Sequence, residues 1–355
     1  MDTSIPDVYN RDLRPKRGAS VTAGLVSALA VSTILSGCGA SSAGAHPAAA
    51  PMAATASHRL SGTASVAYAG SLQLVNDQFV APAFSAATGL SYRGRGGGSF
   101  GMAHLITSGQ IRPNVFESIG TAPIRILMPR FTNWAVGFAS APLVIAYSPA
   151  SPFAAEFKAI AAGKRPMKDL FTLMENSRFH LGRTNPNTDP QGQAFVMMLA
   201  LADRYYHLPK GTAARILGGV NNPNQIFAEE AILSRLQAGQ LDASSAFLPE
   251  AAQRHLPYIA LPAAVNLGDP ADARTYAQAD VTLKGGKRAV GAPLEIYITS
   301  VSGAPNQGAG QRFIAYMLSK PGRTLYQQEG YTLTAPVFFG NRSSIPRSIL
   351  AVAKQ

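Results

Sequence analysis

The chain has one cysteine, Cys38, which ends the run Leu35-Ser36-Gly37-Cys38 directly after an uncharged stretch from Val21 to Leu35. No intramolecular disulfide is available, so whatever folds downstream must be held by a buried apolar core. Arg11, Arg14, Lys16 and Arg17 precede the uncharged stretch. A basic leader, an apolar run of about 15 residues and small residues before a cleavage point describe a secretory signal peptide. The run falls short of the ~20 apolar residues that a membrane span needs. Residues 1–37 are therefore expected to be a removable signal peptide, which makes the protein extracytoplasmic.

Leu35-Ser36-Gly37-Cys38 also resembles the lipobox of bacterial lipoproteins, in which the cysteine becomes a lipidated N-terminus. That resemblance implies a lipid on Cys38 and attachment to the bacterial cell membrane. From Gly39 to about Ser65 the chain is mostly Ala, Ser, Gly, Pro and Thr, with no apolar period that could bury a face. Such a stretch cannot offset its ordering entropy, so residues 38–63 are expected to form a flexible tether. About 25 residues of that kind reach roughly 25–30 Å. The net charge of +12 suits an anionic ligand or an anionic membrane surface. Lys and Arg are scattered and not interleaved with aromatics, which argues against a nucleic-acid partner.

The remaining residues alternate short β-rich runs with helical patterns, the signature of an α/β protein. Ser65–Ala69, Leu90–Arg93, Asn114–Ser118, Pro142–Tyr147 and Leu294–Thr299 read as strands. Helical spacing runs through Leu72, Val75 and Phe79, through Phe100–Ser108, through Gln191–Tyr206 and through Ile226–Leu236. Phe313, Ile314, Met317 and Leu318 make a further apolar stripe, broken at Pro321-Gly322. The expected layout is two lobes, each a mixed β-sheet flanked by helices, joined by two crossover strands. Residues 64–141 and 288–345 would form lobe 1, and residues 142–287 lobe 2.

Three short segments carry the chemistry. Ala69-Gly70-Ser71-Leu72 and Gly96-Gly97-Gly98-Ser99-Phe100 each turn from a strand into a helix, and Asn185-Pro186-Asn187-Thr188-Asp189-Pro190 leads into the Gln191–Tyr206 helix. Free backbone N–H groups and the positive end of the helix dipole suit such termini to anions. Glycine before serine lets the backbone approach a ligand without a clashing Cβ. Ser71 and Ser99 also read as plain N-caps, and Asp189 before Pro190 reads as a cap more readily than as an anion ligand, because like charges repel.

In their order, these segments are similar to tungstate/molybdate-binding proteins of ABC importers. The similarity continues through Leu241-Asp242, Leu256-Pro257-Tyr258-Ile259-Ala260-Leu261-Pro262, Asn266-Leu267 and Ala304-Pro305-Asn306. It implies a two-lobed periplasmic-binding-protein fold with an oxyanion in the interlobe cleft and an ABC permease as partner. Serines at Ser71 and Ser99 would hydrogen-bond the oxyanion, and Asp189 would coordinate its metal centre. Leu72, Phe100, Thr188, Ser245 and Phe247 complete the expected ligand-binding set. The archaeal-type members carry a second carboxylate where this chain has Ala246. With Glu250 four residues further on, the expectation is a singly carboxylate-coordinated or simple tetrahedral oxyanion, with Ser244 or Ser245 adding a hydroxyl.

Gly97-Gly98-Ser99-Phe100-Gly101 also matches the nucleophile elbow of serine hydrolases, with His255 downstream. The polar, glycine-broken run before it is unlike the buried strand that supports an elbow, so a binding protein is expected, not an enzyme. A lipid-anchored sensor for another anion shares the same features. Phe131, Trp134, Phe138 and Phe247 read as core more readily than as cleft. No cofactor and no resident metal are expected, and the chain is expected to act as a monomer.

Overall fold

The computed structural model describes residues 62–353. The expected signal peptide, the lipidation site Cys38 and nearly all of the tether lie outside these residues. Twelve strands occur among the described residues: β1 Thr63–Ala69, β2 Ser91–Gly97, β3 Val115–Ile119, β4 Trp134–Ser140, β5 Leu143–Tyr147 and β6 Leu181–Gly182, then β7 Ala243–Phe247, β8 Tyr258–Ala260, β9 Asp280–Thr282, β10 Arg288–Val290, β11 Glu295–Ser300 and β12 Thr332–Gly340.

They form two main mixed sheets. The first has the order β12-β4-β11-β3-β1-β2 and the second β6-β7-β5-β8; β9 and β10 make a separate ribbon. In the first sheet β1 runs parallel to β2 and β3, while β11 is antiparallel to β3 and β4. In the second, β5 is antiparallel to β7 and β8, and β6 is parallel to β7. β3, β4, β5 and β7 are buried along their whole length, as strands covered by helices on both faces must be. The edge strand β2 alternates, with Ser91, Arg93 and Arg95 exposed.

The chain passes from one sheet to the other twice. Ala141-Pro142 links β4 to β5, and residues 291–294 return it to β11. The two crossings are joined by a hydrogen bond from Ala141 N–H to Leu294 O at 3.1 Å. This architecture agrees with the expected fold class. It also corrects two local readings. The glycines of Gly94–Gly97 belong to β2, because their missing side chains let the Tyr68 ring lie flat on the strand; a Cβ on Gly94 would come within 2.7 Å of it. Pro321 does not end a helix but starts one, Lys320–Gln328, after Gln307–Leu318 has stopped.

Trp134, Phe138 and Phe247 are core residues. Phe84 meets Phe313 edge to face at 5.2 Å between the helices that cover the first sheet. Each such ring contributes on the order of 1.5–3 kcal/mol by leaving water. Among the described residues no helix is long and apolar enough to cross a membrane.

Candidate functional site in the interlobe cleft

β1 and β2 are parallel neighbours whose C-terminal ends both run into helices, the edge of an open α/β sheet at which ligands bind. β1 ends at Ala69, and Gly70–Leu72 makes one tight helical turn. Ser71 is 4% exposed, and its Oγ has no hydrogen-bond partner among the described residues. Its carbonyl accepts a hydrogen bond from the Tyr331 hydroxyl at 3.0 Å, so the C-terminal part of the chain props this turn from behind. β2 ends at Gly97, Gly98 precedes the helix Ser99–Thr107, and the fully buried Ser99 Oγ accepts from Ile119 N–H at 3.3 Å.

The second sheet presents the turn at 185–190. Asn185 folds it by accepting from Asn187 N–H through Oδ1 and from Asp189 N–H through its carbonyl. Asp189 caps the helix Pro190–Tyr206, with Oδ1 accepting from Gln191 N–H at 2.7 Å. The cap reading is thus realised, and it uses one carboxylate oxygen. The other faces the first lobe: a Cβ on Gly98 would sit 3.0 Å from Asp189 Oδ2 and 2.7 Å from Thr188 O. Gly101 N–H donates to the same Thr188 carbonyl at 3.1 Å. The two lobes therefore touch backbone to backbone at the two predicted turns.

Glu229, the first residue of the helix Glu229–Gln237, closes the third side. Its Oε2 accepts from Gly70 N–H at 2.8 Å in a buried bond between the lobes. Asp189 and Glu229 line one cavity of about 320 Å³, with Gly98, Thr184, Asn185, Thr188 and Phe227. The Thr184 hydroxyl is buried there without a partner among the described residues. Sequence reasoning passed over Glu229, since an acidic first-turn residue is ordinary helix-dipole chemistry. It also passed over Arg183, whose fully buried guanidinium donates to Gln225 Oε1 and Gly219 O at 3.0 Å and so pins the loop before Glu229. Burial lowers its pKa to about 10.

The other expected ligand residues lie differently. The Leu72 side chain is fully buried in the main core. Phe100 lines a separate cavity beside the crossings, with Pro123, Met197 and Leu294. Phe247 packs in the core, and its N–H is taken by Glu250 Oε2 at 2.9 Å. Ser245 donates to Gln191 Oε1 at 3.0 Å, and Gln191 Nε2 donates to Glu250, so Ser245 and Glu250 brace the start of the Pro190–Tyr206 helix from inside. Burial, with the Asp189 charge adding to it, raises the Glu250 pKa. Ala246 faces the opposite, helix-packed side of β7. No carboxylate reaches the cavity from β7; the second one comes from Glu229.

Beneath the Ser71 turn lies a buried carboxyl. Glu117 Oε2 accepts from Asn76 Nδ2 at 2.5 Å, and Asn76 Oδ1 accepts from the Tyr326 hydroxyl. Burial pushes the Glu117 pKa up from 4.5 to about 7. Below the unfolded pKa both states hold this proton. As pH rises toward 7 the unfolded chain ionises first, so stability contributed by Glu117 is present at low pH and lost through the folded pKa. Urea unfolding is expected to show lower stability at pH 7 than at pH 5, by roughly 2 kcal/mol from this group. The Glu117→Gln variant should flatten that slope; an unchanged slope would assign it to other carboxyls.

Comparison with known proteins places the chain in a family. A family model described as bacterial extracellular solute-binding protein matches residues 64–332. The molybdate/tungstate-binding protein WtpA of Thermococcus kodakarensis is 31% identical over 237 residues, 61% of this chain and 65% of that protein. WtpA of Pyrococcus abyssi is 29% identical over 237 residues, 61% of this chain and 67% of that protein. The chain thus spans about two thirds of the length of these relatives. The solved periplasmic molybdate-binding protein of Azotobacter vinelandii is alike in fold, with a TM-score of 0.53 and 17% identity, over 76% of this chain and 99% of that one.

Proposed function

We propose, from the premise that the chain belongs to the family of bacterial extracellular solute-binding proteins, that it captures molybdate or tungstate between its lobes and hands it to an ABC permease. The observation that supports this reading is the interlobe contact of the Gly98-Ser99 helix start with Thr188 and Asp189, with the Gly70 turn bonded to Glu229, which lines the same cavity as Asp189. The buried hydroxyl of Ser71, with no partner among the described residues, is a donor prepared for an oxyanion. Asp189 would be repelled by an ordinary anion but can bond to a metal centre that accepts further oxygen ligands. The names of the relatives support the choice of molybdate and tungstate.

Binding without turnover is the role proposed. Ser99 Oγ is engaged by the Ile119 amide, and His255 is exposed at the end of a short helix, so no serine–histidine pair is assembled from them. A lipid on Cys38 would keep the protein close to its permease.

A thermal-shift series tests the ligand, using protein that begins at residue 38 with Cys38→Ser. Molybdate and tungstate are expected to raise the midpoint in a concentration-dependent way. At a hundred times Kd the stabilisation is about 2.7 kcal/mol. Sulfate and phosphate should do far less. Silence from molybdate and tungstate would refute the reading.

A further inference from the structure

We propose that Glu229 is an internal competitor for the oxyanion seat, an affinity-setting residue that the incoming ligand must displace. The inference rests on the proposed function and deepens it. Gly70 N–H is the first donor beyond the end of β1, next to the buried Ser71 Oγ that has no partner among the described residues. An anion held at this turn needs that N–H. In the structure it is occupied by a carboxylate from the other lobe, at 2.8 Å and with Glu229 only 6% exposed. One N–H serves one strong acceptor at a time, so carboxylate and ligand exclude each other.

The carboxylate is delivered to this place by construction. It stands at the start of a nine-residue helix whose preceding loop is fixed by the buried Arg183. Tethered in this way, it competes at an effective concentration of millimolar or more. Only the fraction of molecules with Glu229 withdrawn can bind, and apparent affinity falls by that fraction. Every anion meets the same barrier, so weakly held ones drop out of the useful range and strongly held ones remain. With Asp189 on the same cavity wall, withdrawal of Glu229 also relieves the charge repulsion that a divalent oxyanion would meet.

Calorimetric titration of the wild type, Glu229→Ala and Glu229→Leu with molybdate and sulfate tests this, since neither replacement offers Gly70 N–H an acceptor. If the seat is blocked nine-tenths of the time, both variants bind molybdate about tenfold more tightly. Sulfate binding should rise in step, bringing it into measurable range. Glu229→Leu fills most of the side chain's space without an acceptor and serves if the alanine variant does not fold. Unchanged molybdate affinity in the folded variants would overturn the proposal, because the seat was then never blocked. Weaker binding would overturn it too, because Glu229 would then be a ligand contact. If the wild type and both variants bind neither molybdate nor tungstate, the functional reading fails, and the competitor with it.

Discussion

The Asp189→Asn variant is expected to lose molybdate and tungstate binding by at least about 100-fold while its ligand-free melting midpoint stays within about 2 °C of the wild type. Asparagine caps a helix as well as aspartate does, so the bond to Gln191 N–H survives the change. What goes is the negative charge beside the cleft. For an ordinary anion site that is a gain, and affinity should rise. For a site in which the carboxylate bonds to the metal of the oxyanion, it removes the bond. The two readings of Asp189 therefore predict opposite signs, and one titration with molybdate separates them. Sulfate, whose central atom takes no further ligand, should bind the variant no worse than the wild type. A variant that binds molybdate more tightly would leave Asp189 with capping alone.

Ser71, Ser99 and Asp189 were legible in the sequence because each marks a local event. A strand ends, glycine or proline punctuates, and a helix starts with a capping side chain. Those events depend on neighbours in the chain, and the structure has all three turns, each leading into a helix. Glu229 depends instead on Gly70, 159 residues away, and no local pattern distinguishes it from any acidic residue in a first turn. Ser245 and Ala246 show the limit set by strand parity. Alternate residues of β7 face opposite sides, and the motif order alone does not say which side meets the cleft. β4 is hidden in the sequence because Trp134 and Phe138 taken singly give no strand signal; paired with β11 and β12 the segment is an interior strand, next to the edge. The two-lobe layout needed less, since two extended runs bracketing a helical section already require two crossings.

Gly98→Val is expected to weaken molybdate binding on the order of 100-fold without unfolding the chain. The backbone at Gly98 has φ −50° and ψ 129°, a conformation open to any residue, so valine meets no strain there. It replaces the residue just before a helix whose cap position carries no side-chain hydrogen bond, so no cap is lost. The whole penalty falls between the lobes, where the first added carbon would lie 2.7 Å from the Thr188 carbonyl and 3.2 Å from Asp189 Cβ. Neither atom can step aside alone: the Thr188 carbonyl also accepts from Gly101 N–H, and Asp189 is held by its cap bond. The lobes must part by roughly the missing ångström, and a shift of that size at a positioned contact carries penalties of about two orders of magnitude. Gly308→Ala is the matched control, since a Cβ there meets nothing within 4 Å. Titration with molybdate and a ligand-free melt read both variants. A Gly98→Val chain that melts normally and binds normally would mean that closure at Thr188 and Asp189 is not part of capture.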